Sequence, residues 1–311
     1  MKLADYLARL GFAGDTSLTI DCLTEMHRCH ALSVPYENVD VQLSRVLDFD
    51  LERIFHKIVT LKRGGWCFEL HLLFSWALRE IGFDVSTVAT GIHRAEDGDK
   101  MLGNHSILLV DLDETYLVDL GLGDGPREPI PFREGTFTQG HFEFTLEKLP
   151  DGYWRFRNHA WAIPDNYDFD PNQPDFDKLI KQCHELQTDP ESGFVRNLVC
   201  QIMQPEQIIC LTGRILRTKT QSGTKKSLVS HSEFENILAD VFGIRDQDIP
   251  SLWPDIDARH KAVFGDKKIA EIKFDGFKMM ASPVDGERQL RPHCVSSHGR
   301  QRTSAHQLLS Q

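Results

Sequence analysis

The stretch KRGGWCFELHLLF, residues 62–74, places a single cysteine between two glycines and an apolar run with helical spacing. The apolar pattern continues up to Gly82, which predicts a helix over 67–81 with Cys67 in its first turn. At a helix start, or beside an imidazolium, the pKa of a cysteine can fall by several units. Although most isolated cysteines simply fill a core, we interpret Cys67 as a candidate nucleophile.

Two glycines, Gly64 and Gly65, stand immediately before this helix start. Since glycine has no Cβ, the pair predicts a sharp turn and leaves room for a substrate to approach the sulfur. Arg63 precedes the glycines, and an ion pair between Arg63 and Glu37 would fix the loop that carries them. The alternative is two independent surface charges that contribute little.

A thiol nucleophile needs a base, and two histidines compete for that role. His71 lies one helical turn after Cys67 on the same helix face. His105 begins a predicted strand, and Asp119 follows across a short turn, so a hairpin would bring the two close together. A base needs an acceptor that orients its ring, and His71 has no obvious one. We therefore interpret Cys67, His105 and Asp119 as a catalytic triad.

The composition limits the classes of partner. The 311 residues include 35 Lys and Arg against 46 Asp and Glu, a formal net charge of −11, which argues against nucleic acid or an anionic membrane as the main partner. The first residues lack the apolar segment of a signal peptide, and the apolar runs are too short to span a bilayer. Seven cysteines without a CxxC pair indicate reduced thiols. We expect a soluble cytoplasmic protein.

The hydrophobic pattern changes along the chain. Residues 1–84 are helical in pattern, whereas 85–160 and 195–229 alternate as strands do. Residues 161–190 are irregular, acidic and contain prolines, which predicts a long connection between domains. Residues 281–311 contain no Phe, Trp or Tyr and are predicted to be a disordered tail.

Some local signals give finer predictions. The apolar runs 105–111 and 116–120 are predicted to form one hairpin. Ser232 to Glu235 has the form of a capping box that begins a helix ending at Val241.

Four segments resemble the arylamine N-acetyltransferase family. They are RGGWCFE at 63–69, NHSILLV at 104–110, YLVDLGLGD at 116–124 and PYENVDV at 35–41. The resemblance, which runs from the N-terminus to about residue 280, implies an α+β multidomain fold with a cysteine-protease-like core. The implied units are an N-terminal helical bundle at 1–84, a central β-barrel with a connector at 85–190, a C-terminal α/β lid at 191–280 and a tail at 281–311.

The resemblance also implies the chemistry. Cys67, His105 and Asp119 match the family's triad, acetyl-CoA is the co-substrate, and no permanently bound cofactor or metal is implied. The acceptor is expected to be a small molecule: an aromatic amine, a hydrazine or an N-hydroxyarylamine. The residues expected to contact acetyl-CoA are Asn104, Leu122, Gly123 and Asp124.

The chain departs from the family pattern in two segments, and its tail after about residue 280 matches no motif of the family. His71 stands where the family usually has asparagine. The family's Gly-Phe-Gly-Gly segment becomes Gly-Leu-Gly-Asp here, with Leu122 in place of the aromatic ring and Asp124 in place of the last glycine. The loss of a ring at Leu122 is expected to enlarge the pocket.

The residues are compatible with three functions. Acetyl transfer would follow ping-pong kinetics through a thioester on Cys67. A papain-like or transglutaminase-like thiol enzyme uses the same order of Cys, His and Asp and would deliver an acyl group to water or to another acceptor. A binding module with a decayed site is disfavoured because all three catalytic residue types are present.

Overall fold

The computed structural model describes residues 1–173, 175–265 and 267–272, so the predicted tail at 281–311 lies outside the described residues. Its α-helices are α1 (Leu3–Leu10), α2 (Ile20–Ser33), α3 (Val39–Gln42), α4 (Leu51–Phe55), α5 (Cys67–Ile81), α6 (Arg94–Asp97), α7 (Phe176–Thr188), α8 (Gly193–Arg196), α9 (His231–Val241) and α10 (Trp253–Phe264). A π-helical turn, His56–Thr60, continues α4, and 3-10 turns occur at Asp99–Met101, Ile249–Leu252 and Ile269–Glu271.

The strands form two antiparallel sheets. They are β1 (Tyr36–Glu37), β2 (Asp84–Ile92), β3 (His105–Asp111), β4 (Thr115–Val118), β5 (Ile130–Pro131), β6 (Gly135–Gln139), β7 (Phe142–Lys148), β8 (Trp154–Arg157), β9 (Asn166–Phe169), β10 (Val199–Gln204), β11 (Gln207–Thr212), β12 (Ile215–Thr220) and β13 (Gly223–Leu228). The eight-stranded sheet has the order β5-β4-β3-β2-β9-β8-β7-β6, and the five-stranded sheet has the order β1-β10-β11-β12-β13.

The N-terminal helices pack around α5, as predicted. α5 runs over 67–81 and ends at Gly82, and its buried face includes Leu70, Leu73, Phe74 and Leu78. These side chains share one core with residues of α1, α2 and α4 and with the face of β2 and β3 that points away from the interior of the eight-stranded sheet. The helix that carries Cys67 is therefore held against the strand that carries His105.

The eight-stranded sheet corresponds to the predicted central β-barrel, and the predicted α+β fold is confirmed. Aromatic side chains fill the interior of this sheet, including Phe144, Phe156, Tyr167 and Phe169. β3 pairs with β2 on one side and with β4 on the other. This central position keeps His105 in a rigid part of the molecule.

The prediction of an irregular connection over 161–190 is wrong. This segment contains β9, which lies between β2 and β8 in the sheet, and the helix α7. Its acidic residues suggested an exposed connection, but the carboxylate of Asp168 is fully buried. This carboxylate pairs with Arg155 Nε at 2.6 Å and with Arg94 Nη1 at 3.2 Å. A buried carboxylate is tolerated where such partners satisfy it.

The second sheet combines one strand from the N-terminal region with four strands from residues 199–228. β1 comes from the N-terminal region yet pairs with β10, with Tyr36 opposite Gln201. α9 and α10 pack on this sheet through one apolar core. The predicted helix ending at Val241 is confirmed, but its capping box is formed by Ser230 and Glu233, two residues earlier than predicted.

No helix within the described ranges is both long and apolar enough to cross a membrane.

Candidate active site

The start of α5 is fixed by buried charged side chains. Cys67 is the first residue of this helix and is buried. Glu69 accepts a hydrogen bond from the Trp66 N–H at 3.0 Å and from Lys57 Nζ at 2.9 Å. Lys57 also pairs with Asp40 at 2.8 Å. This network, which the sequence pattern did not reveal, holds the turn that presents the thiol.

The turn before Cys67 is packed against β1. The predicted ion pair is confirmed, with Arg63 Nη2 2.7 Å from Glu37 Oε1. A Cβ on Gly64 would lie 2.1 Å from the Pro35 carbonyl oxygen, and one on Gly65 would lie 3.2 Å from side chains of neighbouring helices. The expectation that these glycines make room for a substrate is therefore wrong, because they permit close packing of the backbone instead.

The two ends of the β3–β4 hairpin bring a histidine and a carboxylate together. β4 ends at Val118, one residue before Asp119, and His105 Nε2 lies 3.1 Å from Asp119 Oδ2. The other carboxylate oxygen accepts a hydrogen bond from the Gly121 N–H at 2.9 Å. Burial acts to raise the pKa of Asp119, but its interactions with His105 and His71 together outweigh burial and hold that pKa well below its usual range. The charged carboxylate is thus the hydrogen-bond partner of Nε2 of His105.

Gly121 is the point where these elements meet. A Cβ at this position would lie 2.6 Å from Cys67 Cβ, 2.7 Å from His71 Cε1 and 2.8 Å from His105 Cε1. A residue with a side chain cannot fit at such distances without moving its neighbours. The structure therefore brings Cys67, His105 and Asp119 into one cluster, and their catalytic roles remain a prediction.

The protonation of Cys67 depends on its surroundings. Burial raises the pKa of the Cys67 thiol, and Cys183 of α7 adds to this effect. Interactions with the Trp66 side chain and the Phe68 backbone act in the opposite direction but are weaker. The helix start alone therefore does not ionise the sulfur, since burial destabilises the thiolate more than the N–H groups of the first turn stabilise it.

A cavity of about 340 Å³ opens beside the cluster, and Cys67 and His105 lie in its wall. The apolar part of its lining includes Ile92, Met101, Leu122, Ile163, Pro164 and Phe194. The polar part includes side chains from the second sheet, namely Tyr36, Gln201, Thr212 and Arg217. A mostly apolar cleft with a few convergent polar groups is typical of a site for a small molecule.

No group of three or more His, Cys, Asp or Glu side chains in the described ranges is arranged to hold a metal ion.

Comparisons with known proteins identify the family. A family model described as N-acetyltransferase matches residues 19–248. The arylamine N-acetyltransferase pineal gland isozyme NAT-3 of Gallus gallus is 30% identical over 239 residues, covering 68% of this chain and 81% of that protein. Human arylamine N-acetyltransferase 1 is 26% identical over 276 residues, covering 78% of this chain and 94% of that protein. The chain belongs to the arylamine N-acetyltransferase family.

Solved structures of this family share the fold. The arylamine N-acetyltransferase of M. tuberculosis superposes with a TM-score of 0.75 at 27% identity, covering 82% of this chain and 100% of that chain. The enzyme of Mycobacterium marinum in complex with CoA superposes with a TM-score of 0.73 at 26% identity, covering 83% of this chain and 98% of that chain. The helices, barrel and α/β part described above are thus the arrangement of this family.

Two of the residues expected to contact acetyl-CoA line the cavity of this family member, namely Asn104 and Leu122. Gly123 packs against Gln201. Asp124 is fully buried, and its Oδ2 accepts a hydrogen bond from Lys219 Nζ at 2.8 Å. This geometry favours a structural role for Asp124 over contact with a ligand.

Sequence reasoning missed Lys219, because the residue types along ILRTKT at 215–220 do not mark which face of the strand is buried. In β12, Ile215, Arg217 and Lys219 alternate with half-buried residues and are all buried. Period-two alternation therefore places both cations on the inward face of the strand, where each needs a polar partner.

The contacts of His71 were also not predicted from the sequence. This ring is buried and finds partners on two other elements, Ser106 of β3 and the backbone N–H of Leu120. The argument that His71 has no group to set its tautomer is therefore wrong, although His105 remains the histidine with the shorter approach to Asp119.

Proposed function

We propose that this member of the family transfers an acetyl group from acetyl-CoA to an aromatic amine, a hydrazine or an N-hydroxyarylamine, with Cys67 as the acyl carrier. The observation that carries the proposal is the cluster of Cys67, His105 and Asp119 in the wall of one cavity. The CoA complex of the Mycobacterium marinum relative supports acetyl-CoA as the donor.

The first half-reaction acetylates the enzyme. Nδ1 of His105 takes the proton of the Cys67 thiol as the sulfur attacks the thioester carbonyl of acetyl-CoA. The carbon–sulfur bond to CoA then breaks, and His105 returns the proton to the departing CoA thiolate. Asp119 orients the imidazole ring and stabilises its charged form. An acetyl thioester on Cys67 remains.

The second half-reaction regenerates the thiol. The acceptor amine attacks the acetyl-thioester carbonyl, and His105 takes a proton from the nitrogen. The bond to Cys67 breaks, and the sulfur recovers its proton from His105. The two half-reactions together follow a ping-pong mechanism and use no permanently bound cofactor. A cytoplasmic location remains a prediction.

The test is mass spectrometry of the protein after incubation with acetyl-CoA. The wild type should gain one acetyl group, and Cys67→Ala should gain none while keeping its unfolding temperature. Cys29→Ala is the matched control, because Cys29 is a more accessible thiol outside the cluster and its loss should leave the adduct in place. An adduct that persists in Cys67→Ala contradicts the assignment.

Release of free CoA separates transfer from hydrolysis. Acetyl transfer predicts one equivalent of CoA without an acceptor and continuous release when an aromatic amine or a hydrazide is added. Continuous release without any amine would instead support the thiol hydrolase, in which water is the acceptor.

A further inference from the structure

His71 is a buried histidine that the proposed reaction does not use directly. It lies on α5, one turn after Cys67, and both of its ring nitrogens are engaged. Nδ1 lies 3.0 Å from the Ser106 hydroxyl, and Nε2 lies 2.9 Å from the backbone nitrogen of Leu120.

These contacts decide the tautomer of the ring. A backbone N–H can only donate, so the Leu120 N–H requires an unprotonated Nε2 on His71. The proton of the neutral ring is then on Nδ1, which donates to the Ser106 hydroxyl. The nearest oxygen of Asp119 is 3.4 Å from Nε2, longer than the contact with Leu120.

The ring therefore joins three elements of the site. Its own helix carries the nucleophile, Ser106 adjoins His105 on β3, and Leu120 stands between Asp119 and Gly121. The Gly121 N–H donates to Asp119 Oδ1, so this short backbone segment is held by hydrogen bonds at two successive residues. A Cβ on Gly121 would lie 2.7 Å from His71 Cε1, which leaves the segment little freedom to shift.

We infer that His71 is a positioning residue whose neutral ring ties the backbone that carries Asp119 to the helix that carries Cys67. The effect of His71 on the reaction rate rests on the proposed function, whereas the hydrogen bonds of the ring do not. A shift of the segment would move the carboxylate away from His105, and small misplacements of a catalytic group are costly in rate.

Protonation of the His71 ring at Nε2 would break the hydrogen bond that ties the segment to α5. An N–H on Nε2 removes the acceptor of Leu120 and points a donor at Asp119 Oδ1, which already serves Gly121. Asp119 would then be shared between two histidines.

Several titratable groups surround His71. They are His105 on β3, with ring centroids 5.6 Å apart, Asp119, Cys67 on the same helix, and His27 and His30 on α2. Burial lowers the pKa of His71, and Asp119 acts in the opposite direction. The His71 ring is thus neutral at neutral pH and positions the segment there. It becomes protonated only on the acid limb of the profile of acetylation rate against pH.

Two variants test the inference through single-turnover acetylation of Cys67 by acetyl-CoA, measured from pH 4.5 to 8. His71→Leu removes the acceptor and should slow acetylation at pH 7 by about 10- to 100-fold, the range typical of lost supporting hydrogen bonds. His71→Asn supplies a donor and an acceptor that do not titrate. It should restore the rate to within severalfold, with an acid limb less steep than that of the wild type. Wild-type rates in His71→Leu, or an unchanged acid limb in His71→Asn, would overturn the inference.

A second measurement does not depend on catalysis. Long-range ¹⁵N–¹H correlation spectra of the wild-type protein, assigned with His71→Asn, report which ring nitrogen carries the proton. A proton on Nδ1 of His71 at pH 7 is expected, and a proton on Nε2 would overturn the inference even if His71→Leu does not fold. A wild type that forms no acetyl-Cys67 would defeat the proposed function but leave this result standing.

Discussion

Arg63 donates two hydrogen bonds to one oxygen of Glu37, from Nε at 2.9 Å and from Nη2 at 2.7 Å, and both side chains are buried. The second oxygen of Glu37 accepts the Val39 N–H at 2.7 Å. The Glu37 N–H in turn donates to the Gly65 carbonyl at 2.9 Å, so the pair supports the turn that precedes Cys67.

This pair should be strongly coupled. Glu37→Gln leaves the buried Arg63 guanidinium with only Asp40 and Asp246, each 3.3 Å away, and we expect the free energy of unfolding to fall by about 3 kcal/mol, the lower end for a broken buried pair. Arg63→Met combined with Glu37→Gln should cost clearly less than the sum of the two single changes. The measurement is a double-mutant cycle by urea unfolding. The exposed pair Arg245–Asp240 is the control and should couple by less than about 1 kcal/mol. Equal coupling in the two cycles would contradict the expectation.

Gly121 should not tolerate a side chain. Gly121→Ala places a Cβ within 3 Å of Cys67 and of both histidines, so we expect the acetylation rate of Cys67 to fall by about 100-fold or more. The cost in stability should be about 1–3 kcal/mol, as for overpacking. Gly125→Ala is the control in the same loop, where the three atoms nearest to the new Cβ belong to the Leu122 side chain, at 3.1 Å or more. Rates that fall equally in both variants would argue against a special role for Gly121.

Leu122 should influence the acceptor more than the donor. It lines the cavity, and Leu122→Phe adds the ring that the family pattern carries at this position. We expect the preference among aromatic amines to change several-fold while the rate of enzyme acetylation changes less. Leu122→Met, which conserves volume, should change neither. The two half-reactions are measured separately by stopped-flow, and equal effects on both would indicate a residue that only supports the fold.

The stability of the protein should fall in mild acid because of His27. Burial lowers the pKa of His27 to about 4, whereas in the unfolded chain a histidine titrates near 6.5. Between these values the unfolded state binds a proton that the folded state does not, so the free energy of unfolding decreases as the pH falls through this window. The contribution of His27 is about 3 kcal/mol over the whole window. His27→Leu should make the dependence of stability on pH shallower between pH 6.5 and 4, as measured by urea unfolding. An unchanged slope would contradict the prediction.

Long-range partners set the limit of what the sequence could predict. The acidic segment 161–190, predicted to be irregular, contains a strand whose buried Asp168 pairs with Arg155 and with Arg94, the latter 74 residues earlier in the chain. Asp124, predicted to contact acetyl-CoA, pairs with Lys219, 95 residues later. Neither the burial of these charges nor the identity of their partners follows from a local pattern in the sequence.

Local signals by themselves determined the helix 67–81, its end at Gly82, and the hairpin that brings His105 and Asp119 together, because each depends on residues close in the chain. Four ordered motifs likewise determined the family. Only the tertiary structure decided which atoms meet at Gly121, and that His71 accepts a hydrogen bond from Leu120, 49 residues away. The physical reason is that the direction of a hydrogen bond between separate elements depends on how α5 packs against the barrel, and no local pattern encodes that packing.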